Sequence, residues 1–342
     1  MTPIASPPLA PTLWQNLRFR CSNGLRRVSG FFLTNPPALI GGGIMITVVL
    51  ACLLAPMLTE YDPNRRVARP HVAPNAEHIL GTTRQGRDVF AQVLYGGRTS
   101  LTVAFVAGTV ATVLSILVGI TAGYFGGRID QWLNFVMNVV LVFPQLPLLI
   151  VLAAFLGQVG PPVIALLIGI TSWPWGARVI RSQTMAIRQK EFVLAAECMG
   201  ESKVRILLVE ILPNLTAIAA GSFVGVMMYA LINAAGLEFL GLGDPTAVTW
   251  GTMLYWAQSA AALYTGGWWE MIVPAVTIAL VGGAMALVNI AIDQVSNPKL
   301  KAGAHLRRWR KLNKAIEAKR QQAKPKFLAR EGPIAGWWPI VR

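Results

Sequence analysis

The groups in this chain that could carry acid–base or metal chemistry are three histidines, three cysteines and fifteen carboxylates, and their spacing builds no site. His71 and His78 stand far from His305, and no phosphate-cradling glycine loop, carboxylate pair or nucleophile–base set can be recognised. No catalytic residue, no metal ligand and no chain-bound cofactor is therefore expected. The one stretch whose residue types point to a task is residues 191–214, EFVLAAECMGESKVRILLVEILPN, a polar interruption between two apolar halves. Phe192, Ala195, Ala196 and Met199 recur at i, i+3, i+4 and i+7, which predicts a helix with one small apolar face, outside which Lys190, Glu191 and Glu197 fall. Gly200 suits a left-handed helix end. Ser202 can cap a second helix that carries Val204, Leu207, Leu208 and Ile211 toward Pro213. A helix faced with alanines can lie close in a partner's groove, so the task is mechanical docking rather than chemistry.

The elements that hold this hairpin are membrane helices. The chain has 342 residues, is 54% hydrophobic and only 13% charged, and its mean hydropathy is +0.53, too apolar for a soluble domain of this length. Apolar runs at about 38–58, 100–124, 132–156, 161–177, 212–236 and 270–292 each approach the ~20 residues that cross a bilayer. The expected fold is all-α, six transmembrane helices with the hairpin between the fourth and fifth. The fourth is the shortest, and Trp173-Pro174-Trp175 reads as its interfacial end. With a cytoplasmic N-terminus, 24 of the 30 lysines and arginines fall inside, giving about +16 there and −1 outside. Both termini are then cytoplasmic, in a multi-pass protein of the cell membrane. The net charge of +15 reports topology and anionic lipid, not nucleic acid, because no aromatic–basic surface module accompanies it.

In chain order, residues 1–35 form an arm with Arg18, Arg20, Arg26 and Arg27 beside Trp14, Leu17, Leu25 and Val28, either amphipathic on the inner surface or a solvated tail. Residues 36–58 hold the first span and 59–98 an extracytoplasmic segment. Residues 99–293 make a five-helix core containing the polar loop 188–211, and 294–342 are a basic cytoplasmic tail. In the outer segment Arg87 and Asp88 suit either a rigid surface turn with a local ion pair or a docking shelf for an external partner. Gly119 with Gly123, and Gly221 with Gly225, are small-residue pairs for close helix packing. Pro144 and Pro147 break the third helix near mid-depth. Broken backbone there is tolerated only against protein or a wet cavity, so Phe143 and Gln145, with Asn138 and Asn233, are pathway-lining candidates, interhelical hydrogen bonding being the alternative. The lysine- and arginine-free loop 237–269, with Asp244 and Trp250, reads as a re-entrant or interface-lying scoop. In the tail, Leu306, Trp309, Leu312 and Ile316 lie at near-helical spacing among ten basic residues, as a lipid-surface helix or a disordered segment. Cys21, Cys52 and Cys198 are placed where no stable extracellular disulfide joins them.

The six apolar cores contain no Asp, Glu, Lys, Arg or His, with Glu270 and Asp293 at the edges of the sixth. Ion-coupled carriers keep such groups in the membrane as relays, so uphill transport would have to draw its energy from a partner acting on the hairpin. A passive channel through the broken third helix is the alternative.

Three blocks carry a resemblance. Ala195-Ala196, three residues, Gly200 and then Leu212-Pro213 match the cytoplasmic signature loop of binding-protein-dependent ABC importer permeases; LGTTRQGRDVF with YGGRTSL, and FLGLGDPTAVTWGTML, are similar to outer blocks of the dipeptide/oligopeptide/nickel branch. The resemblance runs from about residue 30 to Leu300. It implies a permease that forms a heterodimer with a homologous permease, is driven by two cytoplasmic ATPase subunits that bind ATP and Mg, and is fed by an extracytoplasmic solute-binding protein. It implies that the loop matching residues 191–206 docks in a groove of the ATPase, with Ala195, Ala196 and Gly200 at the matched positions; Glu191, Ser202, Arg205 and Pro213 of the same hairpin are coupling candidates beside them, and Arg87, Asp88, Asp244 and Trp250 are candidates for binding-protein docking. Leu194 stands where the motif has glutamate and Glu210 where it has isoleucine, while Thr83 and Ala91-Gln92 depart from the outer block.

Overall fold

The computed structural model describes residues 35–296, together with 309 and 312–317. Residues 1–296 and 297–342 are separate compact units. In the second, residues 309 and 312–317 are helical with Trp309, Leu312 and Ile316 exposed; the amphipathic-arm expectation and the rest of the tail lie outside the described residues.

Among the described residues the first unit is helical throughout apart from turns and two isolated bridges. Helix α1 is Pro36–Leu53, with prolines in its first turn, where their missing N–H groups cost nothing. A short turn α2 (Ala55–Leu58) leads to α3, Val89–Phe125. The broken third span is α4 (Gly127–Val142) and α5 (Gln145–Leu156), bent by 82° across Phe143-Pro144. Helix α6 is Pro161–Arg188, and α7, Glu191–Cys198, is the first limb of the polar loop. A single turn α8 (Lys203–Arg205) passes through a π-helical segment, Ile206–Ile211, into α9, Leu212–Phe239. Helix α10 (Trp250–Ser259) and α11 (Trp269–Ser296) complete the unit. Five of these helices are long and apolar enough to cross a membrane, and six spans result if the bent pair counts as one.

Three expectations change. The fourth helix does not end at Trp173-Pro174-Trp175 but continues to Arg188 with Pro174 inside it, and neighbouring helices bond to its backbone just before the proline. The Ser115 hydroxyl of α3 donates to Trp173 O at 2.7 Å and Gln145 Nε2 of α5 donates to Thr171 O at 3.4 Å. The second limb of the polar loop is no separate helix. It runs through the π turn straight into α9, and Asn214 Nδ2 donates to Glu210 O at 2.7 Å beside Pro213, which has no N–H to give. The helix of the second apolar run does not begin near residue 100 either, since α3 is helical from Val89 and at 37 residues is ~55 Å long, well beyond the ~30 Å hydrocarbon core.

Helix α3 packs along α6 at the centre of the unit. A Cβ on Gly119 would come 2.7 Å from Ala177 O, and one on Gly123 would come 2.6 Å from Thr184 Cβ, so the small-residue pair sets the contact distance. Gly221 and Gly225 meet α11 at ordinary contact distance. One apolar core centres on Val89, Leu149, Ile168, Leu231, Trp250 and Met285; a second lies under α7.

Candidate coupling surface and the opposing shelf

Helix α7 ends as its sequence requires. Gly200 adopts φ +77°, Glu201 N–H donates to Ala196 O and Gly200 N–H to Glu197 O, the paired bonds of a Schellman turn. Ser202 then caps α8 by accepting from Arg205 N–H at 3.4 Å, and Arg205 pairs with Glu201 at 2.9 Å on the surface. The helix turns Val193 and Ala196 inward against Ile120 and Tyr124 of α3, Ile180 of α6, and Ile206, Ile211 and Leu215. Burying Val193 alone stabilises this seat by roughly 1.5–3 kcal/mol. Ala196 is therefore part of the seat, whereas Ala195 is exposed with Phe192 and Met199 on the outer side. The sequence period put all four on one face; the structure divides them.

Polar contacts fix the same seat. The Tyr124 hydroxyl donates to Glu197 Oε1 at 2.9 Å, and the Arg188 guanidinium lies 5.6 Å from the Tyr124 ring centroid. Lys203 Nζ stands 5.7 Å from the Phe125 ring. Asp130 at the start of α4 makes a two-pronged ion pair with Arg181 of α6, so α3, α4, α6 and α7 are joined at this end. Glu191 and Pro213 are exposed. Exposed Phe192, Leu194, Met199 and Val204 leave a large apolar surface beside charged residues, the pattern of a protein–protein contact. Leu194 also edges a cleft of about 350 Å³ with Gly126, Met185, Arg188 and Glu197.

At the other end of the unit, residues 59–88 and the loop 240–268 form a shelf. Asp88 is not paired with Arg87. It is buried, caps α3 by accepting from Ala91 N–H at 2.7 Å, and meets His78 Nδ1 at 2.9 Å. Trp250 is fully buried: its indole N–H donates to Val93 O at 2.9 Å and its backbone N–H to the Ser100 hydroxyl. Both residues hold the shelf from within, so neither can touch an external protein directly. Arg87 and Asp244 stay partly exposed, and the Thr246 hydroxyl and backbone N–H hold the Asp244 carboxyl below its usual range.

Sequence reasoning missed Glu238. Buried at the end of α9, its carboxyl accepts from the Thr249 hydroxyl at 2.6 Å, and Thr249 and Thr252 form a capping box on α10. Its only local signal was an acid inside the apolar run GLEFLGLG. Of the pathway candidates, Asn138 accepts from Arg178 Nη2 at 2.7 Å on an exposed face, and Phe143 is exposed at the bend. Gln145 reaches α6, and Asn233 bonds back to Tyr229 O of its own helix at 2.8 Å. The four lie on three helices and the bend between two of them: Asn138 on α4, Phe143 at the bend, Gln145 on α5 and Asn233 on α9.

Residues 115–301 match the family model described as binding-protein-dependent transport system inner membrane component, and residues 26–76 match the N-terminal TM domain of oligopeptide transport permease C. A putative peptide transport system permease protein of Brucella suis biovar 1 is 33% identical over 77% of this chain and 88% of its own length. A dipeptide transport system permease protein of Alkalihalophilus pseudofirmus is 33% identical over 78% and 88%. A solved structure of the MetNI methionine ABC transporter aligns with 59% of this chain and 96% of that chain at 16% identity and a TM-score of 0.46. By the family match across more than half its length, this chain belongs to the binding-protein-dependent transport system inner membrane components.

Proposed function

We propose that the chain is one of two homologous permease subunits of an ATP-driven importer for peptides or a similar small solute. Two partner ATPase subunits bind ATP and Mg on the cytoplasmic side, and a solute-binding protein delivers the cargo on the other. The chain itself is non-catalytic. The relatives' names support a peptide cargo. The observation that carries the mechanism is the rigid seat of α7. Its buried side is fixed to α3 and α6, while Phe192, Ala195 and Met199 face outward for a groove in the ATPase. A push on that face moves the ends of α3 and α6 together, and ATP-driven closure of the partners swings the spans between inward- and outward-open states. Glu191, Gly200, Ser202, Arg205 and Pro213 shape the contact, Ala196 seats it, and Asn138, Phe143, Gln145 and Asn233 border the solute route. Arg87 and Asp244 offer the shelf's reachable charges to the binding protein, with Asp88 and Trp250 behind them.

Ala195→Arg places a long charged side chain on the outward face without disturbing the buried one. Uptake of a radiolabelled dipeptide by the assembled transporter should fall by at least about tenfold, ~1.4 kcal/mol, with membrane insertion unchanged. Normal uptake would refute docking through this face. Solute flux through the reconstituted chain alone would favour a passive channel instead.

A further inference from the structure

Arg98 sits where α3 enters its apolar run, at the shelf end of the unit. Its Nε donates to Cys52 O at 2.5 Å and its Nη2 to Leu53 O at 2.6 Å, which fixes the guanidinium against the last carbonyls of α1. The Tyr95 ring lies 5.1 Å from its centre. Those bonds use two of its five N–H donors. Among the described residues no carboxylate lies within ion-pair distance of it. A fixed cation at the edge of the hydrocarbon, with donors to spare and no counter-charge, is costly unless an anion meets it.

Two apolar grooves descend from this one residue along opposite flanks of α3. The first, about 560 Å³, is lined by Thr99, Val103 and Val106 with Pro161, Ala165 and Leu166 of α6. The second, about 570 Å³, is lined by Leu101 and Phe105 with Met45, Val49 and Leu53 of α1, and by Met227. Arg98 and Thr102 belong to both. Each groove is of the size that holds an extended apolar ligand. Two channels that share one cationic head match one anionic headgroup carrying two tails.

We infer that this chain binds one phospholipid astride α3, its phosphodiester on Arg98 and one acyl chain in each groove. The phosphate supplies the missing counter-charge, and the chains fill surface that would otherwise pack poorly. The site lies in the leaflet at the shelf end and is independent of which cargo the transporter carries. Bound there, the lipid bridges α1 and α6 across α3, joining the peripheral first helix to the core.

The test is native mass spectrometry of the full-length chain in detergent, delipidated and titrated with palmitoyl-oleoyl phosphatidylglycerol. One saturable adduct per chain is expected. Arg98→Gln removes the cation, and Thr102→Trp fills the mouth shared by both grooves from an exposed position while leaving Arg98 intact. Each should weaken binding by about tenfold or more, ~1.4 kcal/mol. Thermal unfolding of Thr102→Trp should match the parent in the absence of lipid, so that variant decides the question even if Arg98→Gln, which also releases α1, misfolds. Unchanged binding by Thr102→Trp would overturn the inference. So would equal affinity for the single-chain lysophosphatidylglycerol, which needs one groove only, or displacement of the lipid by inorganic phosphate at matched concentration.

Discussion

Glu238 and Thr249 show how single side chains hold the shelf to the membrane helices. The carboxyl of Glu238 is buried where α9 ends, and the Thr249 hydroxyl is both its donor and the cap of α10. Gly251 completes the site, for a Cβ there would stand 2.3 Å from Glu238 Oε2. Thr249→Val keeps the side-chain shape but removes the donor and the cap together. Leaving the buried carboxyl without this donor, together with the lost cap bond from Thr252 N–H, predicts a destabilisation of about 1–3 kcal/mol or more. Differential scanning fluorimetry of the detergent-purified chain should read this as a lowered unfolding temperature, and Thr249→Ser should restore most of it. A Thr249→Val protein as stable as the parent would mean the carboxyl finds another donor. His78 and Asp88 work in the same way ten residues apart, tying the outer turn to the N-cap of α3. Neither pair follows a short-range pattern, which is why an ion pair between neighbours Arg87 and Asp88 was the natural sequence expectation.

Between elements, the decisive bonds join helices far apart in the chain. Asp130 on α4 and Arg181 on α6 form a partly buried, two-pronged pair across the end of the broken span. Arg181→Met leaves the Asp130 carboxylate short of its partner, and breaking such a pair from one side costs about 3–5 kcal/mol when burial is complete and less here. Asp130→Asn combined with Arg181→Met removes both charges and should recover part of that loss. Additive destabilisation in this double-mutant cycle, measured by chemical unfolding, would show that the pair contributes nothing as a pair. How much was legible in the sequence differs by element for the same reason. The bend at Phe143-Pro144 was visible because proline's missing N–H is a local property. So were the Gly200 turn and the Ser202 cap. The continuation of α6 through Pro174 was not, since the packing that holds it, with the Ser115 and Gln145 bonds to its backbone, comes from other helices. The inward turn of Ala196 was hidden too, because periodicity marks an apolar face without saying which part of it the core takes.

For the molecule as a whole, the two ends of the unit have different physical characters, a shelf pinned internally and a polar loop that keeps its apolar side bare, and Cys198 offers a direct probe of that difference. Its thiol is exposed beside the outward face of α7, whereas Cys52 is buried against α3. Maleimide reacts with the accessible thiolate, so in a Cys21→Ser background Cys198 should label rapidly and Cys52 should stay unmodified until the chain is denatured. Adding the ATPase partners covers the loop if docking is through α7, and the Cys198 labelling rate should then fall by about tenfold or more, equivalent to ~1.4 kcal/mol of occlusion. In intact cells a membrane-impermeant maleimide should leave Cys198 untouched, and in inverted membrane vesicles it should label it, which places the loop on the cytoplasmic side. Equal rates with and without the ATPases would separate membrane topology from coupling: the loop would still face the cytoplasm, but force would have to enter the permease elsewhere. Equal labelling from both faces would undo the orientation itself, and with it the assignment of the shelf to the side from which solute arrives.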